Sequence, residues 1–218
     1  MKQAFSESRK LVDGRKHAIA TERNREPILQ VLLEVLPPSG TILEIASGTG
    51  EHAAYFAPRL KPRKWIPSDT NASLRESIIA WIKHSPSENL YQPLDIDASQ
   101  SVWKVEKEVL SEISDISAIV NINMIHISKW SACLGLMAGA GRMLPPGGIL
   151  YLYGPYKQGG EHTAPSNAAF SEYLQEQNPE WGVRNLEDVV EVAKTHNLIL
   201  QKTYPMPANN LSVVFKHS

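Results

Sequence analysis

The sequence predicts an α/β fold in which helices cover both faces of a mostly parallel sheet. Short apolar runs rich in β-forming residues alternate with segments whose apolar residues recur at helical spacing, which is typical of repeated βα units. The last two apolar runs are joined by only a few residues and predict an antiparallel hairpin. The chain has 218 residues, 42% of them hydrophobic, so it has enough apolar material to bury one substantial core.

Hydrophobic periodicity and turn residues predict the individual elements. Strands are expected at 41–46, 64–67, 90–94, 116–122 and 149–153, and the hairpin at 198–204 and 211–215. Helices are expected at 25–36, 51–60, 72–83, 102–113, 129–143, 168–177 and 186–196. Residues 154–165, rich in glycine and proline, are expected to form a mobile loop that lines a site. We expect residues 1–24 to be an arm that folds over the site and residues 25–218 to be a single domain.

Charge and cysteine content argue against several classes of protein. The formal net charge of -1 provides no global field toward nucleic acid or an anionic membrane. The single cysteine, Cys133, excludes an internal disulfide framework and predicts a reducing, cytoplasmic location. No stretch approaches the ~18 apolar residues of a membrane span, and the first twenty residues do not form a signal peptide. No metal-ligand spacing is present, so no metal is expected.

A glycine-containing loop follows the first predicted strand. The spacing Gly48-x-Gly50-x-x-Ala53 fits a loose dinucleotide-binding pattern, because small residues let a ligand approach the backbone at a helix N-terminus. Glu44 lies inside the otherwise apolar strand, where an ionised side chain needs a specific partner. S-adenosylmethionine carries an ammonium and a sulfonium but no phosphate. An acid beneath the loop therefore favours this ligand over a pyrophosphate.

Two more acids follow the next two predicted strands. Asp69 lies roughly twenty positions beyond the loop, where a carboxylate accepts hydrogen bonds from both ribose hydroxyls, also in NAD enzymes. Asp95 is expected to accept from the adenine amino group, with Ile96 packing on the ring; the alternative is a solvated loop acid. The candidate cofactor-binding residues are Glu44, Ala46, Gly48, Thr49, Gly50, Asp69, Thr70, Asp95, Ile96 and Asn123.

The motif Glu44-x-x-x-Gly48-x-Gly50, with Asp69 and Asp95, resembles the first three motifs of class I S-adenosylmethionine-dependent methyltransferases. Their Rossmann-like, seven-stranded sheet also ends in an antiparallel hairpin, and the resemblance covers most of the chain. More narrowly, residues 21–29, 154–156 and 162–170 resemble the methyltransferase-like protein 26 family, which implies methyltransferase activity without specifying the acceptor. One departure is Ala46, which stands where class I enzymes usually have the first glycine of the loop; alanine is small enough for a ligand to approach.

Candidate catalytic and acceptor-binding residues follow the fourth and fifth predicted strands. His126 is the best candidate base, and the alternative is a histidine that only bonds a loop backbone. Tyr156 is a second catalytic candidate, and Asn123 is expected to hold the methionine moiety. Asn24 is either a site residue or the N-cap of the first helix. The candidate substrate-binding residues are Arg23, Asn24, Tyr153, Glu161 and His162; those in the loop have a solvated surface as their alternative.

The sequence therefore predicts a methyltransferase that uses S-adenosylmethionine and acts on a small-molecule acceptor. Alignment of nucleophile, methyl carbon and sulfur supplies most of the catalysis in such a transfer, so a dedicated base is optional. The fourth strand ends in Asn121-Ile122-Asn123-Met124 rather than an Asn-Pro-Pro-Tyr motif, which argues against a nucleic-acid acceptor. Two alternatives remain open, an NAD-dependent oxidoreductase and a non-catalytic S-adenosylmethionine-binding protein.

Overall fold

The computed structural model describes residues 8–10, 13–107 and 115–218. They fall into two compact units. The first, unit 1, runs to Ile96 and includes Lys104–Val120; the second, unit 2, comprises Asp97–Trp103 and Asn121–Ser218. Among the described residues, no helix is both long and apolar enough to cross a membrane.

Unit 1 contains a small hairpin and a parallel set of strands with their connecting helices. Its elements are β1 (Ser8–Lys10), β2 (Lys16–Ala18), α1 (Ile19–Val35), β3 (Thr41–Ile45), α2 (Glu51–Phe56), β4 (Lys64–Pro67), α3 (Ala72–His84), α4 (Lys104–Lys107) and the first part of β5 (Ile116–Ile122). β1 and β2 pair antiparallel, whereas β3 pairs parallel with β4. All five residues of β3 are buried, as expected for a parallel strand that is covered on both faces.

Unit 2 is organised around the last strand of the chain. Its elements are α5 (Trp130–Met143), β6 (Ile149–Gln158), β7 (Glu161–His162), α6 (Pro165–Gln177), β8 (Arg184–Asn185), α7 (Leu186–Lys194), β9 (Leu198–Met206) and β10 (Asn210–His217). β10 pairs antiparallel with both β6 and β9. The hydroxyls of Tyr151 and Ser212 lie 2.6 Å apart between β6 and β10, both buried, and tie the two strands together. The predicted α/β class, with parallel strands, a C-terminal antiparallel hairpin and helices around the sheet, is confirmed.

The start of the first helix differs from the prediction. α1 begins at Ile19 with Ala18 as its N-cap, six residues earlier than expected, so the interpretation of Asn24 as the N-cap is wrong. Proline is best tolerated in the first turn of a helix. In the structure Pro27 lies inside α1 instead.

Three other expectations change. The predicted loop over 154–165 is wrong in its first part, because β6 continues to Gln158 and pairs there with β7 and β8. The strand expected at 90–94 is reduced to two isolated bridges, Trp65 with Leu90 and Ser68 with Leu94, since Pro93 has no N–H for a ladder. Of the helix expected at 102–113, Lys104–Lys107 is helical, and the part from residue 108 lies outside the described residues.

Candidate functional site

The loop between β3 and α2 is built from left-handed backbone. Ala46, Gly48 and Gly50 have φ values of 57°, 58° and 85°. An added Cβ on Gly50 would lie 2.7 Å from Cα of Ile78 on α3, so glycine is required there for packing. An added Cβ on Gly48 would meet no described atom within 4 Å. The backbone at Gly48 therefore faces open space that a ligand is able to enter.

Asp69 lies against this loop. It is the second residue after the end of β4. Its carboxylate is 6% exposed and accepts hydrogen bonds from the backbone N–H of Gly48 at 3.0 Å and of Asn71 at 2.9 Å. Burial raises the pKa of Asp69, and the charge of Asp95 adds to that effect, while the two hydrogen bonds and Arg75 oppose it. Each carboxylate oxygen keeps a lone pair for a further donor such as a ribose hydroxyl.

The carboxyl group of Glu44 has a hydrogen-bond partner within the protein. The residue is 1% exposed, and Oε2 accepts from the indole Nε1 of Trp65 at 3.0 Å. Burial raises the pKa of Glu44 to about 7, opposed by hydrogen bonds from Trp65 and Ser47, and the charge of Asp69 contributes to the rise. Glu44 and Asp69 are thus close enough to interact, and Glu44 changes charge near neutral pH.

Arg75 contacts both Asp69 and Asp95, and the sequence reasoning missed it. Its Nη1 lies 3.1 Å from Oδ1 of Asp95, which is exposed, and also donates to the carbonyls of Asp69 at 2.8 Å and Thr70 at 2.9 Å. Ile96 is buried. The available signal was a basic residue one turn into the helix that follows Asp69. The structure brings Glu44, Asp69 and Asp95 into one electrostatically coupled region of unit 1, held in place by Arg75.

The helical residues 23–25 pack near α2. Arg23 is exposed, whereas Asn24 is buried and its Oδ1 accepts from Nε2 of His52 at 2.8 Å. Burial lowers the pKa of His52 to about 3, and Arg25 adds to the effect, so the ring is neutral. The sequence reasoning also missed this contact between His52 and Asn24 of α1.

One cluster in unit 1 has metal-ligand types at close range. Ligand atoms of His17, Glu22 and Glu51 all lie within 4.8 Å of one another. The carboxylate of Glu51 already contacts Nδ1 of His17 at 3.0 Å, and Nη1 of Arg25 lies 3.8 Å away. Arg25 thus supplies a positive charge beside the buried carboxylate of Glu51.

His126 and Tyr156 lie together inside unit 2. Both are fully buried, and their rings meet edge to face with centroids 5.0 Å apart. Nδ1 of His126 accepts from the backbone N–H of Arg184 at 3.3 Å. Burial lowers the pKa of His126 to about 3, assisted by Arg184, and burial raises the pKa of Tyr156. His126 therefore bonds the backbone of β8, and its catalytic role stays a prediction.

The other predicted residues of unit 2 have mixed environments. Asn123 has a φ of 65°, and its backbone N–H donates to the carbonyl of Tyr153 at 2.8 Å. Tyr153 is buried, Glu161 is exposed, and His162 is half-buried opposite Lys157 in the β6–β7 pairing. Their roles in binding an acceptor stay a prediction.

The chain has a Rossmann-like methyltransferase fold. It is similar to a human N-acetylserotonin methyltransferase in complex with SAM, with a TM-score of 0.71 at 14% identity over 92% of this chain and 53% of that one. It is also similar to an O-methyltransferase family protein from Burkholderia thailandensis (TM-score 0.73, 14% identity, 92% of this chain and 57% of that chain). The mitomycin 7-O-methyltransferase MmcR gives a TM-score of 0.73 at 11% identity over 92% of this chain and 55% of its own.

The chain thus spans about half the length of these proteins, and at such identities the similarity concerns the fold alone. A family model matches residues 15–217. The chain belongs to the family described as "Protein of unknown function (DUF938)".

Proposed function

We propose that this protein is an S-adenosylmethionine-dependent methyltransferase that acts on a small-molecule acceptor. The observation that carries the proposal is the buried carboxylate of Asp69, fixed by the N–H of Gly48 beside the open side of the loop. A preorganised acceptor at the end of the second strand suits a ribose. The similarity to methyltransferases supports the proposal, and so do the segments that resemble the methyltransferase-like protein 26 family. The single cysteine supports a cytoplasmic location.

The residues of unit 1 fit this cofactor. Gly48 leaves room for close approach, Asp69 keeps acceptor capacity, and the carboxylates of Asp69 and Asp95 supply negative charge that attracts a cation. When bound, S-adenosylmethionine supplies a methyl group activated by its sulfonium. We propose that the binding residues are Glu44, Ala46, Gly48, Thr49, Gly50, Asp69, Thr70, Asp95 and Ile96, with Asn123 for the methionine moiety.

Proton transfer is a minor part of the mechanism that we propose. His126 and Tyr156 are both buried, and burial favours the neutral form of each, so neither is suited to exchange protons with an acceptor. His126 is suited instead to position the backbone of Arg184, from which its Nδ1 accepts a hydrogen bond. Alignment of the acceptor with the methyl group then supplies most of the catalysis. The similar proteins named as O-methyltransferases support an oxygen acceptor.

Calorimetric titration with S-adenosylmethionine tests the proposal. Asp69→Ala removes the carboxylate, and Asp69→Asn keeps its size while removing its charge. We expect affinity to fall about 10- to 100-fold in Asp69→Ala, because a hydrogen bond to a charged group contributes about 1.5–3 kcal/mol. Glu88→Gln, an exposed acid on the same unit, serves as the matched control and keeps wild-type affinity.

The result that contradicts the proposal is unchanged affinity in a folded Asp69→Ala protein, with folding checked by thermal melting. The glycine spacing and Asp69 also suit NAD, so stabilisation of the protein by NAD(H) in the same melting assay would support an oxidoreductase instead. Tight binding of S-adenosylmethionine with no methyl transfer to any component of a metabolite extract would support a non-catalytic binding protein.

A further inference from the structure

Unit 2 contains a cavity that none of the predicted site residues accounts for. Its volume is about 350 Å³, within the roughly 300–1,000 Å³ range of small-molecule sites. We call it the Trp130 cavity. Its lining residues are Trp130, Lys157, Val183, Arg184, Asn185 and Asp188.

Arg184 builds one wall of the Trp130 cavity. Its guanidinium donates to the carbonyls of Ile125 at 2.9 Å, Ser128 at 2.7 Å and Glu180 at 2.8 Å. Its backbone N–H donates to Nδ1 of His126, and its residue position pairs with Tyr156 on β6. These contacts fix the wall to the turn that follows β5, so the cavity is preformed.

The chemistry of the lining residues selects a class of ligand. Trp130 contributes a large aromatic ring at the start of α5, with Cζ of Arg184 5.5 Å from its centroid. Lys157 is half-buried, and its ammonium makes no hydrogen bond or ion pair with any residue in the ranges that the structure describes. The lining contains two cationic side chains, Lys157 and Arg184, and one carboxylate, that of Asp188, so its net charge is positive. An aromatic surface beside an unpaired ammonium suits a planar ring with an anionic group.

We propose that the Trp130 cavity binds a planar aromatic carboxylate, with its ring against Trp130 and its carboxylate on Lys157. The cavity lies at the carboxyl end of β6, where β6 pairs parallel with β8. The carboxyl ends of parallel strands are where α/β sheets bind ligands.

Binding of two matched probes to the full chain tests the proposal without any need for turnover. The probes are 4-hydroxybenzoate and its uncharged analogue 4-hydroxybenzamide, titrated by calorimetry. We expect Lys157→Ala to weaken 4-hydroxybenzoate at least about tenfold and to leave 4-hydroxybenzamide within about twofold. We expect Asp188→Asn to have the opposite effect and to increase the affinity for 4-hydroxybenzoate about twofold, because it removes a charge of the same sign as the probe's carboxylate. Lys194→Ala, an exposed lysine at the end of α7, is the control and changes neither affinity.

Trp130→Ala is expected to weaken both probes equally, because it removes the surface for the ring. The proposal is overturned if 4-hydroxybenzoate does not bind at millimolar concentration, or if Lys157→Ala affects the two probes alike. Calorimetry with S-adenosylmethionine separates the two proposals. Cofactor binding without ring binding removes only the ligand class of the Trp130 cavity, whereas ring binding without cofactor binding contradicts the methyltransferase function.

Discussion

Burial decides the charge state of several titratable residues in this protein. Glu44, His52 and His126 are all at least nine-tenths buried, and the pKa of each is shifted toward the value that favours its neutral form. Removing a charge from water is costly unless a partner compensates for it. Burial therefore raises the pKa of the acid and lowers the pKa values of the two histidines. A sequence shows that these residue types are present, but their protonation depends on burial that only the folded chain defines.

The contact between His126 and Gly154 gives a prediction at the scale of single residues. An added Cβ at Gly154 would overlap the imidazole of His126, so Gly154→Ala should destabilise the protein by about 1–3 kcal/mol. His126→Ala alone should cost about 2 kcal/mol or more, because it leaves a cavity and an unpaired N–H of Arg184. In the double variant the new methyl group occupies part of that cavity. We expect the double variant to lose about 1 kcal/mol less stability, measured by urea unfolding, than the two single variants lose together.

Additive losses in that double-mutant cycle would contradict the packing of the two residues against each other. Gly159→Ala is the control glycine substitution, since an added Cβ there meets no atom of the described chain within 4 Å. It has a positive φ of 59°, so its own backbone cost, about 1 kcal/mol, is expected to be independent of His126.

At the scale of elements, the differences between prediction and structure lie mostly at the ends of elements. β3, β4 and β5 were predicted within about one residue, because their apolar runs are bounded by clear turn residues. The continuation of β6 through Lys157 was not predicted. Its partners β7 and β8 come from later in the chain, and the local sequence contains Gly154 and Pro155. Pairing between distant segments overrode a local sequence typical of a loop.

The glycine loop allows folding and ligand binding to be separated. Gly48→Ala places a methyl group in open space, so we expect the fold to be retained at a backbone cost of about 1 kcal/mol. The same methyl group enters the space proposed for the cofactor, and S-adenosylmethionine affinity should fall at least about tenfold. Gly50→Ala instead forces its Cβ against Ile78 and should destabilise α2 and α3 by about 2 kcal/mol or more.

Thermal melting and calorimetry on the two variants provide the measurement. A Gly48→Ala protein that melts normally and binds S-adenosylmethionine as tightly as the wild type would place the ligand elsewhere. A Gly50→Ala protein of unchanged stability would contradict the packing of α2 on α3.

At the scale of the whole molecule, the acids of the candidate site were easier to predict than the residues that hold them. Glu44 and Asp69 stand out because each occupies a definite place relative to a strand and a loop. Arg184 does not, because its guanidinium donates to the carbonyl of Ile125, 59 positions earlier in the chain. Arg75 does not either, because its donation to the carbonyl of Asp69 depends on how the turn before α3 folds. Spacing along a chain identifies side chains that act at strand ends, but it carries little information on donors to distant backbone.

The pH dependence of stability is a property of the whole molecule to which buried groups contribute with opposite signs. Glu44 has a pKa of about 7 in the folded protein against an ordinary value of 4.5. Between these values the folded state binds more protons than the unfolded state, so this group lowers stability as pH rises from 4.5 to 7. His52 and His126, with pKa values of about 3 against 6.5, raise stability as pH rises from 3 to 6.5 and then contribute no further change.

Glu44→Gln isolates the acid, because glutamine resembles the neutral carboxyl in size and does not titrate. The histidines are common to both proteins and cancel in the comparison. We expect the stability of the variant relative to the wild type to increase by about 2–3 kcal/mol between pH 5 and pH 8, measured by urea unfolding at both values. Glu88→Gln, at an exposed position, should show almost no change over the same interval. A stability difference between Glu44→Gln and the wild type that stays constant from pH 5 to pH 8 would mean that the carboxyl of Glu44 is already ionised in the folded protein at the lower pH.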